Sequence, residues 1–153
     1  MDISQITPFL FVGGQPAPAD APALCALDIG LVISMRGEVR PDPVFSQPPL
    51  TSLWLRTIDT FLTPIPIRAL ERGVGAALPV IESGRKVLVH CHYGKHRSVA
   101  QAAAIMIAQG YSAADAMWKL RAERAAADPH IWYIRRRIER FETHWNTLPL
   151  KTS

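Results

Sequence analysis

The sequence predicts an α/β fold: a small, mostly parallel central sheet flanked by helices on both faces. Three observations lead there. Leu31–Met35, Leu53–Ile58 and residues 86–90 are short apolar runs, the first of them β-branched and continuous as a buried strand should be. Apolar residues after residue 64 recur at helical spacings, in segments long enough for four helices. Strands lie mostly in the first half and beside residue 90, so sheet and helices must pack as layers. The 153 residues suffice for one core and are short for two, so residues 1–153 are read as a single domain.

Taken in order, Pro8–Val12 reads as a strand, stopped by Gly13-Gly14 and a proline-rich run. Residues 22–29 form a short helix under Leu24 and Leu27, and Leu31–Met35 is the next strand. Arg36–Pro49 contains four prolines and must be irregular. Leu53–Ile58 is a strand, followed by the loop Asp59–Pro64. Ile67, Leu70, Val74, Ala77 and Ile81 mark an amphipathic helix over 65–83, closed by Gly84. Pro79 lies inside it, at a cost of about 3 kcal/mol, so a kink or break is expected there. Ala100–Ala108 is apolar all round, the pattern of a buried helix, and Gly110 ends it. Ser112-x-x-Asp115 is a capping box for a helix running to about Ala126. Asp128-Pro129 reads as an N-cap with proline at the first helical position. Beyond it Ile131, Ile134, Ile138, Phe141 and Trp145 share one face, with Arg135, Arg136, Arg137 and Arg140 mostly on a solvated one.

Apolar residues at 48% and charged residues at 20% exclude a disordered chain, and no apolar run reaches transmembrane length. The N-terminal residues show neither a basic segment nor a long apolar one, so no signal peptide is expected and the cytoplasm is the default compartment. A net charge of +4 favours an anionic partner but is too small to argue for nucleic acid. Two cysteines do not make a disulfide scaffold; Cys25, among Ala and Leu, reads as a buried small hydrophobe.

Cys91 is different. It ends a strand, and His92, Tyr93, Gly94, Lys95 and His96 separate it from a helix starting near Arg97-Ser98. Such a loop points backbone N–H groups and the positive end of a helix dipole at one place, a nest sized for a phosphate dianion. Gly94 allows the turn, and Arg97 can add a two-pronged contact to two phosphate oxygens. The same field lowers the pKa of a thiol, making Cys91 a nucleophile toward phosphorus. The leaving oxygen needs a proton from another loop, and Asp59 is placed to give it, with Asp42 and Glu38 as fallbacks. A metal site built on His90, Cys91, His92 and His96 is disfavoured, because adjacent residues project apart and no second ligand pair exists.

His90-Cys91-x5-Arg97-Ser98 resembles the signature of the cysteine-dependent protein tyrosine phosphatase superfamily, and the chain's size and layout resemble its dual-specificity branch. Phe9–Pro16 is similar to that branch's opening strand and turn, and Val32–Arg36 to its next strand. Asp59 stands 32 residues before Cys91, a separation usual for the mobile acid loop, and Arg124–Pro129 is like the C-terminal region. The resemblance implies a phosphomonoester hydrolase working through a cysteinyl-phosphate, without metal or other cofactor. It implies Cys91 as nucleophile, Arg97 as phosphate and transition-state binder, and Asp59 as general acid and then base. Ser98 would bond the thiolate, and His90 would hold the loop from behind. Residues 92–96 would line the substrate.

The expected partner is a phosphorylated substrate, with phosphoprotein first and inositol polyphosphates, pyrophosphates or phosphoinositides as the rival. Gly94-Lys95-His96-Arg97 resembles the loop of plant and fungal atypical dual-specificity phosphatases, although Ser98 replaces their threonine and no glycine follows it. A phospho-binding module without turnover is the alternative of another class.

Overall fold

The computed structural model describes residues 1–149. Five strands, β1 (Ile3–Thr7), β2 (Leu10–Gly13), β3 (Ile29–Ser34), β4 (Thr51–Trp54) and β5 (Lys86–His90), form one sheet in the order β1-β2-β5-β3-β4. β2, β5, β3 and β4 run parallel, while β1 pairs antiparallel with β2. The helices are α1 (Ala21–Ala26), α2 (Ile67–Glu82), α3 (Arg97–Ala108), α4 (Ala113–Glu123) and α5 (Trp132–Thr147). The predicted class therefore holds, with a mixed edge added.

Alternation along the strands sorts side chains between two layers. Leu10, Val12, Leu31, Ile33, Val87 and Val89 face the large core shared with α2, α3, α4 and α5. Phe11, Val32 and Leu88 point the other way, into a smaller cluster with Leu24, Phe45 and Leu50. α3 fills the centre: every residue from Arg97 to Ile107 is buried, which is why its sequence has no polar face. Past the opening Arg97-Ser98, Gln101 is the polar exception, and its amide donates to the Leu70 carbonyl of α2 at 3.0 Å.

Several elements differ from the sequence reading. β1 is unforeseen; its Ser4 and Gln5 break up the apolar signal, and it is held as an edge by the ladder to β2. β4 covers Thr51–Trp54 and not Leu53–Ile58. After Leu55 N–H reaches the Ser34 carbonyl, the chain bends so that Thr57 Oγ1 donates to Met35 O at 2.6 Å. α2 continues through Pro79 without a break. Proline removes only its own bond, to the carbonyl of Gly75, and the turn still closes with Gly84 at φ 88°. Ser112 caps α4 as expected, accepting from Asp115 N at 3.0 Å, but the helix stops at Glu123 because Arg124 turns extended and inward. Asp128 does not cap α5, which starts at Trp132. Its backbone N–H instead donates to Lys95 O at 3.0 Å, tying it to the cysteine loop.

The parallel strands all end at one edge of the sheet. Gly13-Gly14, Met35–Glu38, Leu55–Asp59 and Cys91–His96 therefore emerge together, at the edge where parallel α/β sheets bind ligands.

Candidate active site

Cys91 follows the central strand β5 and is 3% exposed, at the floor of a cavity of about 250 Å³. Asp59, His92, Tyr93, Lys95, His96 and Arg97 line the same cavity. Of the residues singled out around the cysteine, all line this cavity except Gly94, His90 and Ser98. Burial pushes the Cys91 thiol up, but the Ser98 hydroxyl and the backbone N–H groups of Ser98, Lys95 and Gly94 outweigh it. The net pKa lies below the ordinary value, and the Sγ–Oγ distance to Ser98 is 3.2 Å.

Gly94 adopts φ 65°, the left-handed conformation that lets the loop turn its N–H groups inward. A side chain there would also strike Gly13, whose carbonyl would lie 2.6 Å from the added carbon. His90 is 2% exposed, and burial lowers its pKa to about 4, so the ring is neutral at physiological pH. Its Nδ1 faces the Cys91 carbonyl at 3.3 Å and must therefore carry the ring proton.

Arg97 is 4% exposed and anchored through one nitrogen. Its Nη1 donates to Met35 O (3.1 Å), Thr57 O (3.0 Å) and both oxygens of Glu38 (2.9 and 3.1 Å). Its Nε is buried and, among the described residues, has no hydrogen-bond partner. An unpaired N–H on a buried guanidinium is costly, and an oxyanion in the cavity would relieve it. Glu38, a fallback acid in the sequence reading, is instead a clamp. Burial raises its pKa, but the Arg97 hydrogen bond and charge prevail and hold it below the usual carboxylate range. Asp42, the other fallback, accepts from Val44 N at 2.9 Å and caps the short 3₁₀ turn Pro43–Ser46.

Asp59 is held at both oxygens: Tyr133 OH donates to Oδ1 at 3.0 Å, and His96 Nδ1 lies 3.0 Å from Oδ2. The His96 ring therefore faces Asp59 and α5, and not an open rim. Tyr93 projects outward at 70% exposure, its ring against His92. Lys95 is exposed and also borders a neighbouring cavity of about 530 Å³, together with Arg121 and His130. Among the described residues no three His, Cys, Asp or Glu side chains converge as a metal site requires, and no helix is long and apolar enough to cross a membrane.

Sequence reasoning missed Tyr133 and the role of Arg124, which entered it only as part of a resemblance. Arg124 is 3% exposed and supports the loop from below, donating through Nε to Gly94 O (2.9 Å) and through Nη2 to Tyr93 O (2.9 Å). The same guanidinium holds Asp2 through two bonds, 3.1 and 2.8 Å, and so ties β1 to the site. No local pattern marks it, because all its partners are more than 25 residues away in sequence.

No protein-family model matches the chain, and no curated protein does. Solved structures do. Human DUSP28 superposes with a TM-score of 0.82 at 22% identity, covering 94% of this chain and 97% of that one. DUSP15 gives 0.81 at 22% identity, with 95% and 90% covered. PTPMT1 in complex with PI(5)P gives 0.82 at 20% identity, with 94% and 96% covered. The fold of this chain is therefore that of the dual-specificity branch of the cysteine-dependent phosphatases.

Proposed function

We propose that the protein is a metal-independent phosphomonoester hydrolase of the dual-specificity type, working through a cysteinyl-phosphate. The observation that carries this reading is the thiol with a lowered pKa sharing a cavity with a guanidinium whose Nε is unpartnered. In the proposed reaction the phosphate oxygens take up the loop N–H groups and the free edge of Arg97. The Cys91 thiolate forms an S–P bond as the P–O bond to the leaving group breaks, and Asp59 gives that oxygen its proton. Water then attacks phosphorus, Asp59 takes the water's proton, and the Ser98 hydroxyl donates to the departing thiolate. His90 supports the loop through the Cys91 carbonyl. Both cysteines are free, and a reactive thiolate suits a reducing compartment, which supports the cytoplasm as its place of work.

Phosphoprotein is the first substrate class. Lys95 favours a second reading, a substrate with more than one phosphate, since its side chain borders both cavities and Arg121 and His130 line the outer one. PTPMT1, which shares the fold, was solved with PI(5)P and adds support for it.

Hydrolysis of 4-nitrophenyl phosphate in chelator by wild type and Cys91→Ser tests the main reading. Turnover that disappears in the variant is expected; a wild type that binds phosphate but never turns over makes the protein a binding module. A phosphopeptide and inositol phosphate panel with Lys95→Ala then separates the substrates. A loss of about 10-fold or more in kcat/KM confined to polyphosphates, as for a charged hydrogen bond, favours the second reading.

A further inference from the structure

Among residues 92–96, His96 is the one whose side chain is turned into the protein, at 13% side-chain exposure. Its Nδ1 stands 3.0 Å from Asp59 Oδ2, and its buried Nε2 stands 3.7 Å from Asp128 Oδ2 with no hydrogen-bond partner among the described residues. The ring thus lies between two carboxylates from different segments, the acid loop after β4 and the connection before α5. From α5 itself, Tyr133 OH reaches both Asp59 Oδ1 (3.0 Å) and His96 Nδ1 (3.2 Å). Burial, then the hydrogen bond and charge of Asp59 and the charge of Asp128, push the Tyr133 hydroxyl up to about 12, so it remains a donor and takes no part in proton exchange. Of the neighbouring cations, Arg97 turns its Nη1 toward Met35, Thr57 and Glu38, Lys95 faces solvent, and Arg137 of α5 lines a pocket with Asp59 and Tyr133.

An imidazole nitrogen donates or accepts according to its tautomer. Asp128 favours a proton on Nε2 at 3.7 Å, and Asp59, closer at 3.0 Å, favours one on Nδ1. Nδ1 is then the nitrogen free to exchange, and it faces the carboxylate assigned to proton delivery. We propose that His96 stores the proton that Asp59 delivers, with Asp128 fixing the tautomer. This rests on Asp59 being the general acid; His96 reaches substrate only through it and is a positioning residue.

The proton count closes. Before reaction one proton is shared between Asp59 Oδ2 and His96 Nδ1, with a second fixed on Nε2. As the P–O bond breaks, the shared proton passes through Asp59 to the leaving oxygen, leaving the Asp59 carboxylate and a neutral ring. When water attacks the cysteinyl-phosphate, Asp59 accepts the water's proton and shares it again with Nδ1.

His96→Asn tests this, because asparagine keeps an N–H donor for Asp59 but stores no proton. The measurement is kcat against pH for phenyl phosphate, a poor leaving group, and 4-nitrophenyl phosphate, an activated one. Expected is a loss of about 10-fold on phenyl phosphate near neutral pH, recovered at lower pH as the alkaline limb moves acidward, with little loss on the activated ester. Adding His96→Asn to Asp59→Asn should cost nothing more, as for residues acting in series. Equal losses on both esters, full rescue by asparagine, or additive losses in the double variant would overturn the storage role alone. An inert wild type, or Asp59→Asn without effect on phenyl phosphate, would overturn the underlying acid assignment and this one with it. Ring nitrogen-15 spectra of the unmutated protein check it without catalysis: Nε2 should carry a proton, and a bare Nε2 overturns the proposal.

Discussion

His90 makes the protein sensitive to mild acid. Its ring ends the central strand at 2% exposure, and burial lowers its pKa to about 4 from the ordinary 6.5. The Cys91 carbonyl pulls the other way, and the charges of Arg36 and Arg97 add to the lowering. Between pH 6.5 and about 4 the unfolded chain binds a proton that the folded one refuses. Stability from this group is therefore complete above pH 6.5 and lost as pH falls through that window. At 1.36 kcal/mol per pH unit the loss is about 2 kcal/mol by pH 5 and about 3 kcal/mol by pH 4. Asp2 and Glu38 act lower down. Their pKa values are lowered from 3.8 and 4.5, so their contributions are present above those values and lost only as pH falls further. The interval from 6.5 to 5 thus isolates His90 from these two. Urea unfolding at pH 7.5, 6.5 and 5 should show the 2 kcal/mol fall in wild type and a nearly flat profile in His90→Gln, which keeps an N–H donor but does not titrate. A His90→Gln protein that loses as much as wild type over this interval refutes the reasoning.

Ser98→Ala removes the largest lowering influence on Cys91, so the pH midpoint of thiol alkylation should rise by about one unit; an unmoved midpoint gives the backbone N–H groups the whole effect. Asp59→Asn should cost about 100-fold in kcat on phenyl phosphate and much less on 4-nitrophenyl phosphate, and equal losses would make Asp59 structural. Glu38→Gln loosens Arg97 at a half-exposed pair, so kcat/KM should fall only about 5-fold, read from initial rates. Arg124→Met strips donors from the Gly94 and Tyr93 carbonyls and should cost about 3 kcal/mol, or about 10 °C in Tm by calorimetry.

The chain's local chemistry determines the strand that ends at Cys91, the glycine turn and the buried helix behind them. Each depends on neighbours within a few residues: β-branched pairing for β5, the positive φ of Gly94, and the all-apolar surface of α3. The nest around the thiol was legible for that reason, because backbone N–H groups of residues 94, 95 and 98 need only the loop's own geometry. What only the tertiary structure decides is which distant charge meets which. Glu38 turns from a candidate acid into the clamp on Arg97 because the loop after β3 emerges beside β5. Arg124 becomes the loop's support because α4 ends beneath Gly94, where its guanidinium finds buried carbonyls and Asp2. His96 faces Asp59 because the parallel strands β4 and β5 end at the same edge. Strand order and helix packing bring these groups together across 30 to 122 residues of sequence, and charge pairing at that range leaves no periodicity or spacing to read.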